Sequence, residues 1–242
     1  MLRVLLLNLQ KIILPRRVLI NRIFLAVEIL LIAAFAGILV KTLQDYSSMA
    51  PLLFEVGGKL GEIAVGLYAL TLIPGIITRL QVLPQLTQPV AGMLLPFRRH
   101  LGILMFLCVY VHMEFTTFFH LLIPNNFDTS KIQLLLFQQI GFAAWLLLLP
   151  LWLTSNDFSQ KRLGRWWKRL HRLTYIALFL IFMHTALVQT NWMLVMGVVG
   201  ILEIASWIKV WMKRPQAPAP VATSPQTFAQ KLAETSAANS QK

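Results

Sequence analysis

The chain has 242 residues, of which 57% are hydrophobic and 13% are charged, and its mean hydropathy is +0.67. A soluble domain carries about 25% charged residues, so this composition excludes an ordinary soluble protein and predicts an integral membrane protein. The net charge of +13 would suggest nucleic-acid binding in a soluble protein. Here the basic residues lie between apolar blocks, where they orient a chain in the bilayer, and we expect no nucleic-acid partner.

The cysteine content excludes several kinds of metal site. The single cysteine, Cys108, lies in the middle of an apolar block, which excludes an intrachain disulfide, a thiolate cluster and a cysteine-based zinc site. The sequence contains no C-x-x-C-H motif, so a covalently attached c-type haem is excluded too. No small-residue cleavage site follows the first apolar block, and we expect that block to be retained as a membrane helix.

Apolar blocks long enough to cross a bilayer recur along the chain, since a spanning helix needs about 20 apolar residues at a rise of about 1.5 Å each. The sequence therefore predicts an all-α integral membrane protein, a six-helix transmembrane bundle that occupies residues 22–212. We place the spans at residues 22–43, 61–80, 100–123, 132–153, 171–188 and 191–212.

Charged residues in the connections predict the direction of the spans. Lys and Arg are frequent before span one, between spans two and three, between spans four and five and after span six, whereas the opposite connections hold only Lys41, Lys59 and Lys131. The positive-inside rule then places both termini in the cytoplasm. We expect residues 1–21 to be a basic cytoplasmic segment. Residues 213–242 are rich in Pro, Ala, Ser and Gln, and we expect a disordered cytoplasmic tail.

The histidines are confined to spans three and five or their ends, and these spans run in the same direction. Neutral imidazole is a good ligand for haem iron, and parallel helices with histidines at one depth can hold a porphyrin between them. His112 lies twelve residues into span three and His184 thirteen into span five, so we predict that they form one bis-histidine site. The five histidines are His100, His112, His120, His171 and His184.

A second haem level is predicted on the cytoplasmic side. His171 lies about 20 Å from His184 along the helix axis. Two haems stacked in this way would bridge most of a hydrocarbon layer that is about 30 Å thick. The spacing of the histidines therefore favours a transmembrane electron relay.

Three segments resemble the ferric-reductase-like transmembrane domain family, and the resemblance extends over about residues 60 to 210. It implies a six-helix b-type cytochrome that takes electrons in the cytoplasm and delivers them outside, with His112, His171 and His184 as iron ligands. Within the family, the sequence is most similar to the haem-binding membrane subunit of bacterial periplasmic methionine sulfoxide reductase systems. The segments are FRRHLGILMFLCVYVH at 97–112, LPLWLTSNDFSQKRLGRWWKRLHRLTY at 149–175 and FMH at 182–184.

The sequence departs from the pattern of the related oxidases at the inner level. There the oxidases have a histidine fourteen residues before the outer one, and this chain has Arg98. His100 is twelve residues before His112, which rotates it by about 120° around the helix. The second inner ligand is therefore His100, a non-histidine group or absent. We expect Arg98 and Arg99 to pair with haem propionates, since a guanidinium suits a carboxylate.

The resemblance also predicts the partners. We expect one or two b haems, a location in the bacterial inner membrane and a periplasmic oxidoreductase partner, with ferric iron or oxygen as alternative acceptors. No G-x-G-x-x-G motif follows a strand, so we assign no flavin or nicotinamide domain and no catalytic residue. The electron donor is then a cytosolic flavin reductase, with its flavin, or a membrane quinol.

A haem-free transporter or assembly scaffold is the alternative from another functional class. Intramembrane charges and broken helices are typical of transporters. Glu28 and Glu203 lie in apolar spans without an evident cationic partner, and Pro74 and Gly75 interrupt span two.

Overall fold

The computed structural model describes residues 1–213, and its secondary structure is helical throughout. Among these residues, six helical segments are long and apolar enough to cross a membrane. The prediction of an all-α, six-helix membrane protein is therefore confirmed. The predicted disordered tail lies, from residue 214 onward, outside the described residues.

The helices follow each other through short connections. A 3-10 turn at Leu95–Phe97 joins α4 to α5, a π-helical turn at Glu114–Phe118 joins α5 to α6, and a second 3-10 turn lies at Thr129–Lys131. The α-helices are α1 Leu2–Ile13, α2 Arg17–Gln44, α3 Tyr46–Leu80, α4 Pro84–Leu94, α5 Arg98–Met113, α6 Phe119–Leu122, α7 Leu136–Leu153, α8 Asp157–Leu163, α9 Arg165–Leu170, α10 Leu173–Leu187 and α11 Trp192–Met212.

Helices α2 and α3 begin earlier than the hydropathy pattern predicts. Residues 2–13 of the N-terminal segment form α1, and α2 already begins at Arg17. The second spanning helix begins at Tyr46 instead of residue 61, because the Asp45 side chain caps it by accepting a hydrogen bond of 3.3 Å from the backbone N–H of Ser48. A capping carboxylate satisfies a free N–H of the first turn, and this signal is independent of hydropathy.

Five of the six spans close into a ring. In order around it, α3 packs on α5, α5 on α7, α7 on α10, α10 on α11, and α11 on α3 again. Helix α2 packs against α3 and α5 from outside the ring, and its buried residues are Glu28 and Thr42. The ring therefore encloses the space in which a cofactor could lie, and α2 contributes to it at one edge.

Both acidic residues that had no evident partner in the sequence are paired in the structure. Glu203, which is 4% exposed, accepts a hydrogen bond from the Arg79 guanidinium and one of 3.0 Å from the Trp207 indole. Arg79 also donates to the Ser206 hydroxyl at 2.8 Å. Glu28 accepts from His100 Nδ1 at 3.1 Å. Glu203 therefore has a cationic partner, and Glu28 has a hydrogen-bond donor.

The ion pair between α3 and α11 generates a stability prediction. We expect Arg79→Leu to lower the free energy of unfolding by about 3–5 kcal/mol, because it leaves the buried carboxylate of Glu203 without its cation. Replacing both residues with Leu should recover most of that loss. Unfolding of the purified protein by SDS in mixed micelles measures both effects.

The exposed pair between Lys59 and Glu62, 3.4 Å apart on α3, provides the control. Lys59→Leu should change the free energy of unfolding by about 1 kcal/mol or less, since solvent screens an exposed pair. Equal effects of Lys59→Leu and Arg79→Leu would contradict the role given to the buried pair.

Candidate functional site

Two cavities lie inside the helix ring. One, of about 440 Å³, is lined by His112 and His184 and is called here the paired-histidine cavity. The other, of about 580 Å³, contains His171 among several cationic side chains and is called the basic cavity. The residues that line both, and thus lie between them, are Tyr68, Met105 and Leu148.

His112 and His184 meet across the paired-histidine cavity. Their ring centroids are 6.3 Å apart and the ring planes cross at 80°. His112 Nδ1 lies 2.8 Å from the carbonyl oxygen of Gly57, and His184 Nδ1 lies 2.8 Å from that of Phe137. A carbonyl can only accept, so both rings carry their proton on Nδ1, and each Nε2 keeps its lone pair.

This geometry suits a metal bound between the two rings. A bond from a metal to imidazole nitrogen is about 2.0–2.1 Å long, and each nitrogen lies roughly 1 Å from its ring centre. Rings that bind one metal ion between them would therefore have centroids about 6 Å apart, and the separation of His112 and His184 matches this value. A ligating histidine typically donates its other N–H to a carbonyl or carboxylate, which fixes the ring.

The backbone around His112 is shaped by a π-helical turn. This turn, Glu114–Phe118, follows His112 directly, and such turns are frequent at functional sites. The Thr116 hydroxyl donates to the carbonyl of His112 at 2.7 Å. A Cβ at Gly57 would lie 2.8 Å from Thr116 Cγ2, so the glycine lets α3 approach closely enough for its carbonyl to reach the imidazole.

The rest of the paired-histidine cavity is mainly apolar and aromatic. One buried polar atom faces no acceptor: among the described residues, the indole Nε1 of Trp145 has no hydrogen-bond partner. Trp145 stacks on Phe142 at 5.7 Å and on Phe106 at 6.2 Å. A buried donor without an acceptor is costly, and a ligand that brings an acceptor into this cavity would satisfy it.

His171 is held less firmly than the paired histidines. It lies in the turn between α9 and α10 and packs on Trp167 at 4.0 Å between centroids. Its Nε2 is 3.3 Å from the Thr154 hydroxyl, which itself donates to the carbonyl of Pro150 at 2.7 Å. The imidazole therefore donates from Nε2 in a long hydrogen bond, and it must give up that bond to present Nε2 to a metal.

His100 also lines the basic cavity. It stacks on Phe24 at 5.6 Å and 7°, and its Nδ1 is bound to Glu28 as described above. The carboxylate accepts, so the proton is on Nδ1 and Nε2 is left free. Glu28 thus orients His100 in the way that the backbone carbonyls orient His112 and His184.

The two adjacent arginines have different surroundings. Arg99 lies 2.6 Å from Asp157 and 3.5 Å from Gln160 in an exposed position. The hydrogen bond and the charge of Arg99 lower the pKa of Asp157 below its usual value. Both arginines line the basic cavity, but no hydrogen bond or ion pair joins the Arg98 guanidinium to another described residue. Arg98 is therefore available to an anionic ligand, together with Lys168 and Arg172, which line the same cavity and have no ion pair among the described residues.

Two residues of this site, Gly61 and Gly141, were not identified by the sequence analysis. A Cβ at Gly61 would lie 2.7 Å from His112 Nδ1, and one at Gly141 would lie 2.9 Å from His184 Nδ1. Small residues inside spanning helices mark close contacts and could have indicated both. His120 lies outside both cavities, and its Nδ1 lies 2.6 Å from the Tyr46 hydroxyl oxygen.

Comparisons with known proteins show the family to which the chain belongs. The family described as "Ferric reductase like transmembrane component" matches residues 60–183, which is just over half of the chain. Relatives named protein-methionine-sulfoxide reductase heme-binding subunit MsrQ, from Brucella ovis and Brucella canis, are 37% identical over 125 residues, or 48% of this chain and 51% of theirs. The MsrQ protein of Brucella melitensis biotype 2 is 42% identical over 89 residues, or 35% of this chain and 39% of its own.

The matches to the relatives cover only part of each protein. The chain spans about half the length of the curated relatives it matches. No solved structure matches the chain significantly.

The contact between Arg99 and Asp157 generates a pH prediction. Because the pKa of Asp157 is lowered, the pairing stabilises the fold above the ordinary carboxyl pKa of 3.8 and is lost as the pH falls through the lower folded value. A carbon-13 NMR titration of the Asp157 carboxyl should have its midpoint below 3.8. In Arg99→Gln the midpoint should return toward 3.8, and an unchanged midpoint would contradict the assignment.

Proposed function

Because the chain belongs to the ferric reductase-like transmembrane component family, we propose that it is a b-type haem subunit that transfers electrons across a bacterial inner membrane. The observation that carries the proposal is the pair His112 and His184, 6.3 Å apart, with each Nδ1 bound to a carbonyl. The relatives are named heme-binding subunits, which agrees with imidazole nitrogens poised to bind iron.

The residues of the paired-histidine cavity fit a haem. Two neutral imidazoles are suitable ligands for haem iron. The mainly apolar lining suits the faces of a porphyrin, and the free indole N–H of Trp145 can donate to an acceptor on the ligand. When bound, haem supplies one-electron chemistry. His112 and His184 would hold its iron, and the helix carbonyls would keep both rings in place.

We assign a second haem to the basic cavity. His171 is one ligand, and His100 is the best second candidate, since Glu28 leaves its Nε2 free. Arg98 would pair with a propionate. The propionate role predicted for Arg99 stays a prediction, and the ion pair with Asp157 opposes it.

The positions of the two cavities support the direction of transfer. The basic cavity lies at the end of the bundle that carries Arg98, Lys168 and Arg172, which the positive-inside rule places in the cytoplasm. Electrons would then enter there, from a cytosolic flavin reductase or a membrane quinol. They would leave from the paired-histidine cavity to a periplasmic partner.

We propose that this partner is a methionine sulfoxide reductase, as the name of the relatives suggests. Such an enzyme repairs oxidised methionine. Co-purification from membranes followed by mass spectrometry tests the partner. Recovery of no periplasmic oxidoreductase, together with haem-dependent reduction of Fe(III) or oxygen, would favour a ferric or oxygen reductase component instead.

The first prediction concerns haem content. The protein purified with added haem should show the Soret and α bands of a b-type cytochrome on reduction. His112→Ala and His184→Ala should each affect the same haem. Loss of either imidazole leaves its iron high-spin or prevents the haem from binding. His120→Ala is the matched control and should keep the full haem content. Absence of a b-type spectrum in the wild type would refute the function and favour a haem-free transporter or scaffold.

The second prediction separates the two levels. His171→Ala should affect only the haem of the basic cavity and leave the other spectrum intact. In a haem titration, the paired-histidine cavity should fill first, since its rings are already held while His171 must release Thr154. Loss of the same haem in His171→Ala and His112→Ala would contradict two separate levels.

The third prediction concerns the groups around His171. If His100 and His171 bind the same iron, His100→Ala should have the same effect as His171→Ala. If His100→Ala keeps a low-spin spectrum in full, the second iron ligand is another group. If this haem is high-spin in the wild type, the iron has no second ligand. Arg98→Ala should lower the reduction potential of this haem without removing its spectrum, since a nearby cation stabilises the reduced state. Arg99→Ala should have a smaller effect, because Asp157 already neutralises that cation. Redox titration monitored by absorbance measures each effect.

A further inference from the structure

The two ligand histidines contact their neighbouring helices in the same way. His112 donates to the carbonyl of Gly57, and the residue four positions later is Gly61. His184 donates to the carbonyl of Phe137, and the residue four positions later is Gly141. The two helices, α3 and α7, are unrelated in sequence at these positions, so the shared element is a carbonyl followed by glycine at the fourth place.

Helix geometry explains why glycine is needed at that place. In an α-helix the carbonyl of residue i accepts from the N–H of residue i+4, and one lone pair of its oxygen remains. The Cα–Cβ bond points toward the helix N-terminus, so the side chain of residue i+4 covers the turn that holds this carbonyl. Glycine at i+4 leaves the lone pair open to a donor from another helix.

The distances show how little space remains. A Cβ at Gly61 would lie 2.7 Å from His112 Nδ1 and 2.9 Å from its Cε1. A Cβ at Gly141 would lie 2.9 Å from His184 Nδ1 and 3.0 Å from its Cε1. These are shorter than a van der Waals contact, so a side chain at either position forces a shift, and the group in its way is the imidazole.

We propose that Gly61 and Gly141 are positioning residues that select the tautomer of His112 and His184. By exposing one helix carbonyl each, they hold the proton on Nδ1 and direct Nε2 into the cavity. This inference rests on the proposed haem function for its consequence, but the tautomer itself is a property of the protein without haem. Gly57 differs, because its Cβ would meet Thr116 and Phe115 and not an imidazole.

Nitrogen-15 NMR of the haem-free protein tests the tautomer directly. With labelled histidine, at about pH 8 where an ordinary imidazole is neutral, His112 and His184 should each show a protonated, hydrogen-bonded Nδ1 and an unprotonated Nε2. His112→Gln and His184→Gln assign the two signals. If either ring in the wild type carries its proton on Nε2, the inference is overturned without any glycine variant.

The glycine variants test the cause. Gly61→Ala should shift only the His112 signals toward the other tautomer, and Gly141→Ala only those of His184. Each should weaken haem binding in the paired-histidine cavity by about 10–100-fold, as loss of a hydrogen bond to a ligand histidine does. Each should also raise the reduction potential of that haem, because an imidazole without its acceptor donates less charge to iron.

Gly200→Ala on α11 is the matched control, since no atom lies within 4 Å of its Cβ position and it lines neither cavity. It should keep the tautomers, the haem affinity and the potential of the wild type. If Gly61→Ala and Gly141→Ala behave as Gly200→Ala does, the inference is wrong. If one variant does not accumulate in the membrane, the other carries the test alone, and the wild-type tautomers decide if neither accumulates.

The outcomes keep this inference apart from the proposed function. A wild type with both Nδ1–H tautomers but no b-type spectrum would refute the haem proposal and leave the role of the glycines in place. A wild type with a b-type spectrum whose affinity and tautomers ignore both glycines would keep the haem and overturn the inference.

Discussion

The hydrogen bond from an imidazole Nδ1 to a helix carbonyl is the interaction on which the paired-histidine cavity depends. Inside a bilayer no water is available to satisfy a polar ring, so each histidine needs a partner from another helix. For His112 and His184 that partner is a backbone oxygen already used within its own helix. The bond therefore joins α3 to α5 and α7 to α10, which are two of the five contacts that close the ring.

The two cavities differ in how far their ligands are fixed in advance. In the paired-histidine cavity both rings are held at Nδ1 by rigid helices, so little ordering is left for binding. In the basic cavity His171 lies in a turn and donates its Nε2 to Thr154, while His100 is held by a side chain of α2. Helix α2 lies outside the ring, so the basic cavity is the one whose geometry depends on how α2 docks.

The buried acidic residues, like the imidazoles, are bound to partners on other helices. Glu203 is paired with Arg79 at the end of the bundle where α3 meets α11, and Glu28 is paired with His100 where α2 meets α5. Ionisable groups in a membrane are costly unless paired. These pairs join helices at the cytoplasmic side proposed above, while the carbonyl–imidazole bonds join them at the other cavity. Arg98, Lys168 and Arg172 line the basic cavity without an ion pair among the described residues, which gives that cavity its attraction for anionic ligands.

The sequence by itself determined the fold class and the level of the paired histidines. Hydropathy over about 20 residues reports a span, and the similar distances of His112 and His184 from the starts of two parallel spans place them at nearly one depth. It could not determine how each helix is rotated about its own axis, and that rotation decides which side chains of different helices meet. The partner of Glu203, the pairing of His100 with Glu28 and the contact of Gly61 with His112 each join helices far apart in sequence. Which faces meet depends on packing between helices, and only the tertiary structure contains that information.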